Sequence, residues 1–271
     1  MSALRFHLLA AGVLAPGLSS LADLRAVSAG ERPYLSAPLQ VPSPAMLPSQ
    51  ERRRSSAGVR LVLACIDQVL RDWPLPAGAL HSVFATDEGT GEVCQQMLAA
   101  LATTRQVSPL LFSNAVLNAP SGYFSIAWRN MQPSTVVSMG LESFASGLLC
   151  AVSDARASGQ PMLLLAYDPP MTAPLDELLP VRDGTASAWI ISAAPVAGAP
   201  PALASFTLDM ARQTQAQPSP LPAWMPPDWQ AHSSARGLAA LGLLSQDTGA
   251  QLRLPLGGGM LVLRRVPQEG A

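Results

Sequence analysis

Few residues in this sequence can do chemistry, and the most telling of them surround one turn, Met139-Gly140-Leu141-Glu142. An apolar, β-branched run over residues 134–139 leads into it, and a helix rich in small residues, about 142–157, leads out. Strand, sharp glycine turn and helix together form the arrangement that lifts a nucleophile out of a sheet toward an acyl carbonyl. Here the turn carries Leu141, which has no nucleophilic atom. Ser138 at the strand end and Ser143 at the helix start flank it, and either would need a histidine to take its proton. His7, His81 and His232 are the candidates, and none sits in a recognisable catalytic context. A small serine acyltransferase or hydrolase is therefore the weaker reading; an elbow kept without its catalyst is the stronger. Glu142 falls in the first helical turn, where the helix dipole favours a carboxylate.

Spacing excludes most other chemistry. Cys65, Cys94 and Cys150 are odd in number and far apart, unlike a disulfide framework or a zinc site. Cys65 and Cys150 lie in apolar runs and are expected to be buried on helices, while Cys94 follows a turn. No His/Asp/Glu cluster has ligand spacing, so no metal is expected. Asp87-Glu-Gly-Thr-Gly91 opens like a dinucleotide fingerprint but lacks the remainder, so no cofactor is expected.

The surface points to a protein partner. Charged residues make up 13% of the 271, against about 25% in ordinary soluble domains. Such a surface is expected where part of it is covered; a compositional bias toward Ala, Pro and Arg is the competing explanation. The formal net charge is -1, and Arg52-Arg53-Arg54 is the only basic run, expected at a solvated helix start, so nucleic acid is not an expected partner.

The elements that must position the turn follow from periodicity. Residues 5–15 read as an opening strand, preferred over a secretory signal because no small-x-small cleavage site follows and the cysteines are odd in number; a cytoplasmic location is the expectation. Ser19 or Ser20 can cap a short helix, and Ser55 or Ser56 a longer one reaching Leu70, with Val59, Leu63 and Ile66 at core spacing. Residues 80–86 read as a strand, 92–103 as a helix, and 108–114 as a loop entering a helix. Residues 162–166 read as an apolar strand of a parallel α/β sheet, and 185–193 as a strand that closes it. Residues 194–202 and 211–229 read as Pro-rich surface chain anchored by Trp224 and Trp229. Two terminal strands flank Gly257-Gly-Gly259, which is a hairpin-like turn. No segment reaches the roughly 18 apolar residues that a membrane span needs.

Two passages then carry a resemblance. Residues 111–126, Leu-Phe-Ser-Asn-Ala-Val-Leu-Asn-Ala-Pro-Ser-Gly-Tyr-Phe-Ser-Ile, and residues 133–149, Pro-Ser-Thr-Val-Val-Ser-Met-Gly-Leu-Glu-Ser-Phe-Ala-Ser-Gly-Leu-Leu, resemble the N-terminal half of β-ketoacyl synthases of the thiolase-like superfamily. They look most like the short chain length factors of aryl polyene and xanthomonadin-type clusters. The resemblance implies a truncated thiolase-like α/β fold with a central mixed sheet. It spans residues 1–193, with 194–271 completing the same domain through a Pro-rich excursion and terminal elements. It places Leu141 where an active synthase has its nucleophilic Cys, so no catalytic residue is carried over. The family's catalytic histidines lie in a C-terminal half that this chain largely lacks, and the surroundings of His232 do not match theirs.

What the resemblance implies instead is a heterodimer with an active β-ketoacyl synthase, serving acyl carrier protein through the complex. The family pairs subunits through the strand before the elbow, here Ser134, Thr135, Val136, Val137, Ser138 and Met139, with Asn118 nearby. Phe112, Leu117, Tyr123 and Phe124 are the implied walls of the partner's acyl tunnel. A partner that only stabilises the synthase is the alternative.

Overall fold

A computed structural model describes residues 3–211 and 217–268. The order of elements is β1 (Leu4–Leu14), α1 (Leu21–Ser28), α2 (Ser49–Arg54), α3 (Ala57–Leu70), β2 (His81–Ala85), α4 (Gly91–Thr103), α5 (Pro109–Asn114), α6 (Ala119–Trp128), β3 (Ser134–Val137) and α7 (Ser143–Ser158). It continues with β4 (Met162–Asp168), β5 (Thr185–Ser192), β6 (Ala204–Ala211), α8 (Ser233–Gly242), β7 (Gln251–Leu256) and β8 (Gly259–Val266). The eight strands form one mixed sheet in the order β3-β2-β4-β5-β1-β6-β8-β7. Only β3, β2 and β4 run parallel; every other pairing is antiparallel.

β4 explains the layering. All seven of its residues are buried, and they alternate between two cores. Met162, Leu164 and Ala166 join Phe144, Leu148, Trp189 and Leu238 on the face covered by α7 and α8. Leu163, Leu165 and Tyr167 join Leu63, Ile66, Phe84 and Phe124 on the face covered by α3 and α6. A strand buried on both faces reads as a continuous apolar run, and this is why it is visible in the sequence. Helix α7 can lie against β2 because Gly147 has no side chain: a Cβ there would come 2.6 Å from the Cβ of Ala85.

Several expectations are corrected. The strand that was to close the sheet, β5, instead lies inside it, antiparallel to both β4 and β1. It is buried along its whole length, so it cannot be an edge. β6 lies between Pro-rich stretches that hide its Phe206/Leu208 alternation, and it pairs with β1 and β8. Residues 109–114 form helix α5, with Ser108 Oγ accepting from the Leu110 N–H at 3.2 Å. Arg52, Arg53 and Arg54 sit at the end of α2 rather than at a helix start, where cations suit the dipole. Cys150 is half-buried, whereas Cys65 is fully buried. Ser20 and Ser56 are the caps, accepting from the N–H groups of Asp23 and Val59. Residues 212–216 of the second Pro-rich stretch lie outside the described residues.

Candidate functional site

The strand, turn and helix expected at residues 134–157 are present, with β3 at one edge of the sheet and α7 leaving the turn. Gly140 has φ +58°, the left-handed region that a side chain at this position would strain. Ser143 holds the turn shut: its Oγ accepts from the Met139 N–H at 2.8 Å and donates to the Gly140 carbonyl at 2.7 Å. Ser138 Oγ donates to the Asp87 carbonyl at 2.6 Å, tying the turn to the loop after β2. The carboxylate of Glu142 accepts from the Gly257 N–H at 2.9 Å, so the tip of the β7–β8 hairpin rests on the elbow.

Neither elbow serine is set up as a nucleophile. Both hydroxyl protons go to backbone carbonyls, and Ser143 is wholly buried. Two of the three histidine rings are engaged elsewhere, His7 Nδ1 with Ser205 and His232 Nδ1 with Thr185, and His81 lies at the start of β2, the opposite end of that strand from the elbow. Burial raises the thiol of Cys65, and burial with the adjacent Asp154 raises that of Cys150 to about 11, so neither supplies a thiolate at neutral pH. Among the described residues, no group of three His, Cys, Asp or Glu side chains could hold a metal ion. Leu141 stands in the turn, 40% exposed, next to the equally apolar Met139.

The exposed apolar side chains concentrate in the stretch of chain that leads to this turn. Of thirteen large hydrophobic side chains exposed among the described residues, nine lie between Leu98 and Leu141. Met131 is 87% and Phe112 65% exposed. Exposed large apolar side chains in such number are expected where part of the surface is covered in use. Between α2, α5 and α6 lies a groove of about 720 Å³, lined by Arg54, Leu110, Val116, Asn118, Tyr123 and Ile126 among others. Among the interface candidates, Ser134, Thr135, Ser138, Met139 and Asn118 are exposed, and Val136 and Val137 are half-buried. Of the candidate wall residues, Phe112 is exposed, and Leu117 and Tyr123 are half-buried. Phe124 is turned inward, its ring 6.0 Å from Phe84 and 5.4 Å from Trp128 between centroids.

Beneath the turn lies a polar cluster that the sequence did not reveal. Asp168, at the end of β4, faces Thr185 across the β4–β5 register. It is wholly buried, yet its carboxylate accepts from the Asp87 N–H at 2.8 Å, the Ser234 N–H at 2.7 Å, Ser234 Oγ at 2.7 Å and Thr86 Oγ1 at 3.3 Å. Burial, opposed by these donors, leaves its pKa raised to about 6. Next to Ser234, the Oγ of Ser233 accepts from the Phe144 N–H in the first turn of α7. The cluster thus grips the elbow from both sides. A single carboxylate ending an otherwise apolar strand was the only sequence signal for it.

The comparisons with known proteins agree with this geometry. The family model described as Beta-ketoacyl synthase, N-terminal domain, matches residues 27–234. No curated protein is similar enough in sequence to count as a match. Among solved structures, the chain is similar to one titled as a ketosynthase in complex with its chain length factor from Xenorhabdus doucetiae. The TM-score is 0.69 at 22% identity, covering 97% of this chain and 100% of that one. The ishigamide ketosynthase/chain length factor gives a TM-score of 0.69 at 15% identity, again covering 97% of this chain and 100% of that one. A type II acyl carrier protein complex with its hexaketide-bound ketosynthase gives 0.70 at 12% identity, covering 97% of this chain and 99% of that one. At these identities the likeness is one of fold.

Proposed function

Given that the chain belongs to the β-ketoacyl synthase N-terminal-domain family, with its thiolase-like α/β mixed sheet, we propose that it is a catalytically silent ketosynthase-like subunit. In this reading it pairs with an active β-ketoacyl synthase as a chain length factor and sets product length in aryl polyene synthesis on acyl carrier protein. The observation that carries the reading is the elbow itself: its backbone turn is intact, Leu141 stands in it, and β3 beside it pairs with β2 on one side only among the described residues, with Met131, Met139 and Leu141 exposed nearby in sequence. The same reading takes residues 194–271 as completing one domain, and it is supported by β6, β8 and β7 extending the sheet from β1.

The edge geometry supports pairing through β3. Pro133 and Val137 direct their carbonyls to β2, accepting from Ser82 and Thr86. Alternation along a strand then turns the N–H and C=O of Ser134 and Val136 outward. A partner strand added there would continue the sheet. Phe112, Leu117 and Tyr123 are the wall candidates that a partner's tunnel could meet; Phe124 would reach it only if the α6 layer moved.

The test is co-expression with an active ketosynthase from the same genome, followed by co-purification and product analysis. Recovery of a stable complex is expected, with the polyene shortened when Phe112, Leu117 or Tyr123 is enlarged. Failure of the chain ever to co-purify with a synthase would sink the heterodimer. Unchanged product length across all three variants, with the complex intact, would leave the structural partner as the correct reading.

A further inference from the structure

The cluster beneath the elbow has a direction that hydrogen counting fixes. An ionised Asp168 can only accept, so Ser234 gives it both its N–H and its hydroxyl proton. Ser234 Oγ, having no further proton, must accept from Thr185 Oγ1, 2.6 Å away. Thr185 has then used its own proton, so His232 must donate to it from Nδ1, at 3.2 Å. His232 is therefore the Nδ1–H tautomer, and its Nε2 carries a buried lone pair with no protein partner. The chain of donors runs His232, Thr185, Ser234, Asp168, and every member is at most 1% exposed.

We propose that these four side chains form a proton relay that couples the ionisation of buried Asp168 to the tautomer of His232 and, through Asp87 and Ser233, to the support of the elbow. One proton enters at His232 Nε2. The Nδ1 proton passes to Thr185 Oγ1, the Thr185 proton to Ser234 Oγ, and the Ser234 proton to Asp168 Oδ2. Each oxygen in the middle gains one proton and loses one. The products are a neutral His232 protonated at Nε2 and a neutral Asp168, with all three hydrogen bonds reversed.

The surroundings favour storing the proton on the carboxyl. Burial raises Asp168, and Asp87 adds to that, whereas Arg236 of α8 is a cation within its electrostatic reach. Tyr167 beside it is also raised by burial and is neutral. His232 is pushed down to about 4 by burial, which Asp228 only partly opposes; its other neighbours are the stacked, uncharged Trp229 and Arg236, whose guanidinium donates to the His232 carbonyl at 3.3 Å. The relay does not depend on which partner covers the elbow.

Nitrogen NMR of the full chain with labelled histidine tests it, with His232→Gln identifying the His232 signals. From pH 7.5 to pH 4.8 the proton-bearing nitrogen of His232 is expected to move for the most part from Nδ1 to Nε2, with a midpoint near 6. Thr185→Val, which breaks the wire but leaves the carboxylate, is expected to abolish the exchange. Protonation of both nitrogens near pH 6, an Nε2–H tautomer at pH 7.5, no change across the range, or an exchange that persists in Thr185→Val would each overturn the relay. None of these outcomes bears on whether the chain binds a synthase, which co-purification reads separately.

Discussion

The two ends of the sheet are built in opposite ways. β7, at one end, has its outward positions closed. The Arg253 N–H donates to Ser219 Oγ at 3.0 Å, the Arg253 carbonyl accepts from the Ser219 N–H at 2.9 Å, and Pro255 has no N–H to offer. A covering loop and a proline are standard defences against edge-to-edge association. β3, at the other end, has only four residues, no strand outside it, and an apolar surround that includes Met131, Met139 and Leu141. One edge is protected from pairing, and the other is left available for it. The proposed pairing through β3 would use the open edge.

The two ends also meet. The sheet brings the β7–β8 hairpin round to the elbow, where Gly257 donates to Glu142. The closed end therefore braces the open one, and the buried cluster at Asp168 braces it from below. The elbow exposes Met139 and Leu141 on its outside, while beneath it the buried Asp168 carboxylate accepts four hydrogen bonds. Its shape is maintained although its nucleophile is absent.

The largest expected effect removes the support from below. Asp168 has a folded pKa of about 6 against an ordinary 3.8, so its contribution is present below 3.8 and is lost as pH rises through 6. That amounts to about 3 kcal/mol of stability lost across the window. His232, at about 4 against 6.5, works the other way: a buried neutral imidazole contributes stability above 6.5 that is lost as pH falls through 4, again about 3 kcal/mol. The two nearly cancel, so urea unfolding of the wild type should be almost flat between pH 4 and 6.5 on their account. Asp168→Asn should turn this into stability that rises with pH, and His232→Gln into stability that falls. Asp168→Asn should also cost about 3 kcal/mol at neutral pH, because its amide presents N–H groups to donors.

The next effect challenges the open edge. Ser134→Pro removes an outward N–H without touching a bond to β2, so the isolated chain should keep its thermal midpoint. Affinity for the partner synthase should fall by roughly 30-fold, or about 2 kcal/mol. If binding were unaffected, β3 would not be the paired edge. The link between the ends is smaller: Glu142→Gln replaces a charge-assisted bond to Gly257 with a neutral one and should cost about 1 kcal/mol in denaturant unfolding. Ser219→Ala at the closed edge should be the mildest, at about 0.5–1 kcal/mol, with partner affinity unchanged. A binding loss from Ser219→Ala as large as that from Ser134→Pro would erase the distinction between the ends.

How much of this was legible depended on whether the cause was local. The elbow was visible because each part has a short-range signature: a β-branched run, a glycine turn, then small residues at helical spacing. β4 was visible because burial on both faces leaves no polar residue before Asp168. β5 was recognised as a strand but given the wrong place, since nothing in Thr185–Ser192 says which neighbours it will have. β6 was hidden because proline on both sides masks a short alternating pattern. Asp168, Thr185, His232 and Ser234 offered no common signal, because they are up to 66 residues apart.

The sequence by itself determined most of the elements, though not β6 or α5, together with the lack of a nucleophilic side chain at Leu141 and the scarcity of charge. These follow from side-chain type and local period. Only the tertiary structure decided strand order, which edge is open, and the direction of the hydrogen bonds under the elbow. Those depend on which groups are brought together away from water. There a buried carboxylate must find donors, and each hydroxyl, with one proton to give, fixes the role of the next.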